Sequence, residues 1–256
     1  MMLWRALHAE TLKMKRTIAL WMIAISPAVV VILLFFAAYQ TPFSTLNRNG
    51  AGSKWLPLAH LALRVWAALM MPLFIALETA LVAGLDHSGN QWKILLARPV
   101  PRWTLYIAKL IVVTAMTAAG TLTLLCGILL DGTILPLVQP ELHFGAPVPW
   151  ATIFREGACV LGLSFPALAI QHWVSLRWRS FPVAIGTGIV ALVGGLFAVA
   201  MSQQTGGWPE YFPWALPMLP FAKEPPHIPT VLWIGGAITA VIAIGSCIDL
   251  CRRETT

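Results

Sequence analysis

The chain of 256 residues is 58% hydrophobic and only 11% charged, with a mean hydropathy of +0.77. A soluble domain of that size could not cover so much apolar surface with so few charges, which excludes an ordinary globular enzyme and leaves a polytopic membrane protein. The net charge of +7 then reports the inner ends of helices before it reports nucleic acid, because no basic patch interleaved with exposed aromatics occurs in a water-soluble stretch.

Residues 1–17 hold Arg5, Lys13, Lys15 and Arg16 among Leu3, Trp4, Leu7 and Leu12. That mixture predicts a moderately amphipathic helix lying on the inner leaflet; a frayed basic tail is the plainer alternative. Apolar runs of spanning length follow at about 18–39, 55–84, 103–130, 150–176, 181–201 and 230–251. The first is longer than the core of a signal peptide and is expected to be retained. Together they predict an all-α integral membrane fold, a single domain over 1–256 with six transmembrane helices and no internal repeat. Between the third and fourth runs, Asp131, Glu141, His143 and several prolines predict a polar loop.

Lys and Arg are distributed unevenly. The N-terminal segment, the stretch around residues 93–109, the turn with Arg177 and Arg179, and the end with Arg252 and Arg253 hold twelve, whereas the alternate connections hold three: Arg48, Lys54 and Lys223. The positive-inside rule therefore places both termini in the cytoplasm, together with the connection after the second span.

Several chemistries have no support. The chain lacks a G-x-x-x-x-G-K-[ST] phosphate loop, H-E-x-x-H and G-x-S-x-G, so neither ATP binding in the P-loop manner nor hydrolase chemistry is expected. An intramembrane enzyme would need polar groups clustered at depth, and most spans read as bare. Cys126, Cys159, Cys247 and Cys251 all fall within predicted helices and read as small apolar side chains, with no disulfide framework and no zinc set.

The stretch from Glu78 to Lys109 is a polar island with Asp86, His87, Lys93, Arg98 and Arg102. Gly89 and Asn90 favour a sharp reversal, and the residues from Gln91 to Ala97 have the composition of a short helix that Pro99 stops. Such a helix would offer Trp92 and Lys93 to a groove in a soluble partner; a solvated hairpin is the bland reading. Three spans carry charges. Arg64 and Glu78, fourteen residues apart, would share nearly one face of a regular helix, and Glu78 is expected either in an inward ion pair or in contact with the island. Arg155 and Asp249 are expected to snorkel to the headgroups. Gly188, Ala191 and Gly195 lie on one helix face, suited to packing within the bundle or to contact with a second copy. The connection after the fifth span holds Trp208, Tyr211, Phe212 and Trp214 among prolines. It predicts an interfacial element on the outer face, either an outer gate or an anchor.

Asp86, a polar turn, Trp92-Lys93, an apolar triplet, Pro99, a basic residue and then Tyr106 and Lys109 follow one another in order. This resembles the first cytoplasmic loop of ABC-2 type transporter permeases, particularly the lantibiotic-immunity and bacitracin-resistance branch. The stretch QHWVSLRWRSFPVAIGTGIVALVGG is similar to the family's junction between spans four and five. The resemblance implies an elbow helix at the N-terminus and a coupling helix in the island, with Glu78, Asp86, His87, Asn90, Gln91, Trp92, Lys93 and Pro99 meeting a separate ATPase. It implies no cofactor in this chain, ATP and Mg in two copies of the partner ATPase, a second permease subunit, identical or homologous, and a place in the bacterial inner membrane. The cargo implied is an amphiphile such as a lantibiotic. A membrane adaptor or sensor signalling through the island, without an ATPase, is the alternative.

Overall fold

A computed structural model describes residues 2–15, 17–40, 54–87, 101–138, 144, 147–178, 180–205 and 211–252. The basic N-terminal stretch forms α1 (Met2–Met14), and the first apolar run forms α2 (Ile18–Gln40). The second run is one continuous rod made of α3 (Trp55–Val65), a π turn (Trp66–Met70) and α4 (Met71–His87). Beyond it come α5 (Arg102–Val138), α6 (Trp150–Arg177), α7 (Phe181–Thr205), a short 3-10 turn (Leu216–Phe221) and α8 (Ile228–Arg252). Among the described residues there is no strand. Six of these rods are long and apolar enough to cross a bilayer, and their positions match the apolar runs in the sequence to within a few residues at most ends.

The largest difference lies in α5. Asp131 reads as the first loop residue, yet the helix runs on to Val138 and Asp131 is buried within it. The apolar residues that follow keep the helix going: Leu135 is fully buried, and the Trp55 ring, edge to face with Phe144 at 4.9 Å, lies against Gly132. Packing at that end of the bundle thus outweighs one acidic residue.

The π turn is the other departure. Pro72 has no backbone N–H and its ring crowds the carbonyl of residue 68, so the preceding turn widens and the Met71 N–H bonds to the Trp66 carbonyl, five residues back. The widened turn holds about one extra residue and rotates everything after it by roughly 100°. Arg64 and Glu78 therefore part company. Arg64 is exposed with its guanidinium 6.0 Å from the centre of the Phe221 ring, while Glu78 is fully buried. Trp66, the first residue of the π turn, and Phe74 beyond it meet in the core with their rings 5.8 Å apart.

α2 lies along α5, α6 along α8, and α4 between α6 and α7. Close approach of α4 and α7 depends on Gly188, where an added Cβ would stand 2.4 Å from the Cβ of Ala76. Gly188→Ala is accordingly expected to cost about 1–3 kcal/mol, the usual penalty of overpacking. Gly245, with nothing within 4 Å of an added Cβ, should accept alanine with no loss or a small gain in helix propensity. Thermal unfolding of the two variants in the same detergent tests the contrast.

Candidate coupling site at the basic end of the bundle

Asp86 sits in the last turn of α4, where the partial negative charge of the helix end opposes a carboxylate. Two ammonium groups offset it. The Lys13 Nζ donates to Asp86 Oδ1 at 2.9 Å, and the Lys109 Nζ touches Asp86 Oδ2. The same two lysines are joined by Glu10, whose Oε1 accepts from Lys13 at 2.7 Å and whose Oε2 accepts from Lys109 at 2.7 Å. The four side chains close a ring of alternating charge with no net charge. Asp86, Lys109 and Glu10 are 0, 1 and 2% exposed, while the Lys13 side chain keeps 28%. Burial pulls the Lys13 ammonium down, but the hydrogen bonds it donates to Glu10 and Asp86, with the charge of both acids, outweigh it and hold its pKa above the ordinary lysine value. Lys13 stays charged through neutral pH, and its share of the ring is lost only as pH rises through that raised value.

Above the ring is a layer of neutral polar groups, corrected against the expectation of bare spans. Tyr106 of α5 packs its ring 5.1 Å from that of His172 on α6. One turn further along α6, Ser175 donates to the Thr79 hydroxyl of α4 at 3.0 Å, and Gln171 donates to the Ala184 carbonyl of α7. Asp249 of α8 does not simply snorkel: it accepts from the Trp173 indole at 3.1 Å, and Arg102 donates to the Cys251 carbonyl at 3.4 Å. These bonds gather α1, the end of α4, the start of α5, the end of α6 and the end of α8 at one end of the bundle. The arrangement aligns and fixes helices; it offers no nucleophile poised beside a base.

Of the residues singled out in the island, Asp86 belongs to the ring. His87 ends α4, and Asn90, Gln91, Trp92, Lys93 and Pro99 lie outside the described residues. Glu78 lies about 12 Å up the helix from Asp86. Among the described residues it makes no ion pair, and neither carboxylate oxygen has a hydrogen-bond partner. Glu10, Lys13 and Lys109 are not among the site residues the sequence suggested. A lysine embedded in an apolar run was the available signal, since such a charge needs an acid nearby.

The small-residue face of α7 divides. Gly188 abuts Ala76, and an added Cβ at Gly195 would lie 2.9 Å from that of Trp214. Ala191, with Gly186, Val190, Gly194 and Phe212, lines an open groove of about 630 Å³. Of the aromatic connection, Trp214 is buried and stacks at 5.6 Å with Phe212, Tyr211 is exposed, and Trp208 lies outside the described residues. At the opposite end from the ring, His60 Nε2 and Glu156 Oε1 approach to 3.0 Å, which links α3 to α6. Among the described residues no group of His, Cys, Asp and Glu could hold a metal.

Six apolar rods with a charged, interhelical base define a multi-pass integral membrane protein. Residues 6–197, from α1 into α7, match the family model described as ABC-2 family transporter protein, and the chain belongs to that family. No curated protein and no solved structure matches it. The family supplies the membrane component of transporters and generally works with an ABC ATPase.

Proposed function

We propose that this chain is the permease subunit of an ATP-driven exporter, with the segment between α4 and α5 gripped by a separate ATPase. The observation that carries the reading is the buried ring, which fixes the two helix ends flanking that segment to each other and to α1. In this reading the basic end faces the cytoplasm, as the distribution of Lys and Arg favours, and the membrane is a bacterial inner membrane. Two ATPase copies bind ATP and Mg beneath a pair of permeases, and Asp86, His87, Asn90, Gln91, Trp92, Lys93 and Pro99 form or frame the contact. Closure of the ATPase pair tilts α4 and α5, and Glu78, without a hydrogen-bond partner among the described residues, transmits part of that tilt. The groove beside Ala191 suits a second permease, whose small-residue contact would exclude lipid. Tyr211, Phe212 and Trp214 stand at the outer gate with Trp208. The cargo is an amphiphile, with an antimicrobial peptide such as a lantibiotic as the best candidate.

Co-purification in mild detergent tests the docking. A separate ABC ATPase is expected to accompany the wild type, and Trp92→Ala with Lys93→Ala should weaken the complex about tenfold or more, since a docked tryptophan is commonly worth about 2 kcal/mol. A bound ATPase indifferent to the double substitution would remove the docking assignment. A wild type that brings down no ATPase would favour an adaptor or sensor.

A further inference from the structure

Only Glu10 and Met14 of α1 are buried, while Met2, Trp4 and Leu12 lie exposed. In water a helix with such a face would be pressed onto the bundle by apolar contact. At a membrane surface that force is missing, because lipid solvates an apolar face as well as protein does. Met14 and Leu7 of α1 do meet the apolar core, but such contact has no direction; the directional buried bonds of α1 are those of the ring. Glu10 and Lys13, one turn apart, reach two different helices: Lys109 of α5 and Asp86 of α4. Opening the ring would strand charges that are almost wholly removed from water, whereas moving all three helix ends together would strand none.

We infer that the ring makes α1 a moving part of the coupling base: Glu10, Lys13 and Lys109 are positioning residues that hold α1, the end of α4 and the start of α5 as one body during ATP-driven movement. α1 then hands that movement to α2, which begins four residues after α1 ends and lies along α5. The inference rests on the exporter reading and gives α1 a mechanical task within it. An apolar contact could supply stability at that position; it could not fix α1 in register with two helices at once.

The test replaces the ionic tie with a covalent one. In a full-length chain with Cys126, Cys159, Cys247 and Cys251 changed to serine, Glu10→Cys and Lys109→Cys are introduced. The complex with its co-purified ATPase is placed in lipid nanodiscs, and ATP turnover is read before and after a short bifunctional thiosulfonate joins the pair. Before joining, turnover should fall roughly tenfold with the ATPase still bound, a drop within the usual span of coupling effects. Joining should restore most of it, and cleavage of the link by reductant should remove it again. A linked complex as slow as the unlinked one, or unlinked turnover equal to that of the cysteine-free parent, would overturn the inference while leaving the exporter reading intact. A parent complex from which the ATPase is absent would instead bring down the reading and the inference with it. Spin labels at Arg5 and Trp103, both exposed, give a second readout on the same cysteine-free background. Their separation should stay unchanged when ATP is added, and a change would show α1 moving apart from α5.

Discussion

Lys109→Met is expected to destabilise the chain by about 3–5 kcal/mol, the cost of stranding a buried charge. With the ammonium gone, Glu10 and Asp86 share Lys13 alone, and the exposed fraction of that lysine leaves it the weaker partner. Methionine keeps the length of the stem, so little of the loss comes from packing. Glu10→Gln in the same chain should recover a substantial part, because it removes the acid that Lys109 had neutralised and leaves Lys13 with Asp86. The two single variants and the double one form a thermodynamic cycle, read by denaturant or thermal unfolding in detergent. Additive losses would show that Glu10 and Lys109 do not act as a pair.

Glu78→Met should do the opposite and raise stability by about 1–3 kcal/mol, the usual cost of a buried polar group left without a hydrogen bond. The carboxyl is 0% exposed and neither oxygen has a hydrogen-bond partner among the described residues, so an apolar side chain of similar volume relieves a cost and breaks no bond seen there. Glu78→Gln keeps an unsatisfied polar group in place and should change little. The comparison is a pair of unfolding midpoints under one set of conditions. A loss on Glu78→Met larger than about 1 kcal/mol would mean that the carboxyl has a structural partner in the membrane.

Much of the architecture is legible in the residues because lipid is a simple solvent. A run of apolar residues long enough to cross it must form a helix, since no water is present to satisfy the backbone. The runs are unbroken, so their ends follow from where polar residues begin. That rule stops short at Asp131, where a buried acid lies inside a helix that neighbouring packing prolongs. It also misjudges the rod from Trp55 to His87. Fourteen residues of regular helix would align Arg64 with Glu78, but Pro72 forces a wider turn between them. The proline was visible in the sequence; the phase shift depends on the helix adapting rather than breaking.

The sequence by itself determined the class: apolar run length dictates how many helices cross, and the uneven placement of Lys and Arg dictates which ends lie together. It also presented the segment around Asp86 as the polar exception. Only the tertiary structure decided what Asp86 does there. Its partners stand 73 residues away at Lys13 and within another helix at Lys109, while Glu10 reaches Lys109 across 99 residues. No local pattern encodes such a pairing, because a charge buried in a membrane protein is matched by whatever the packing of other helices brings beside it.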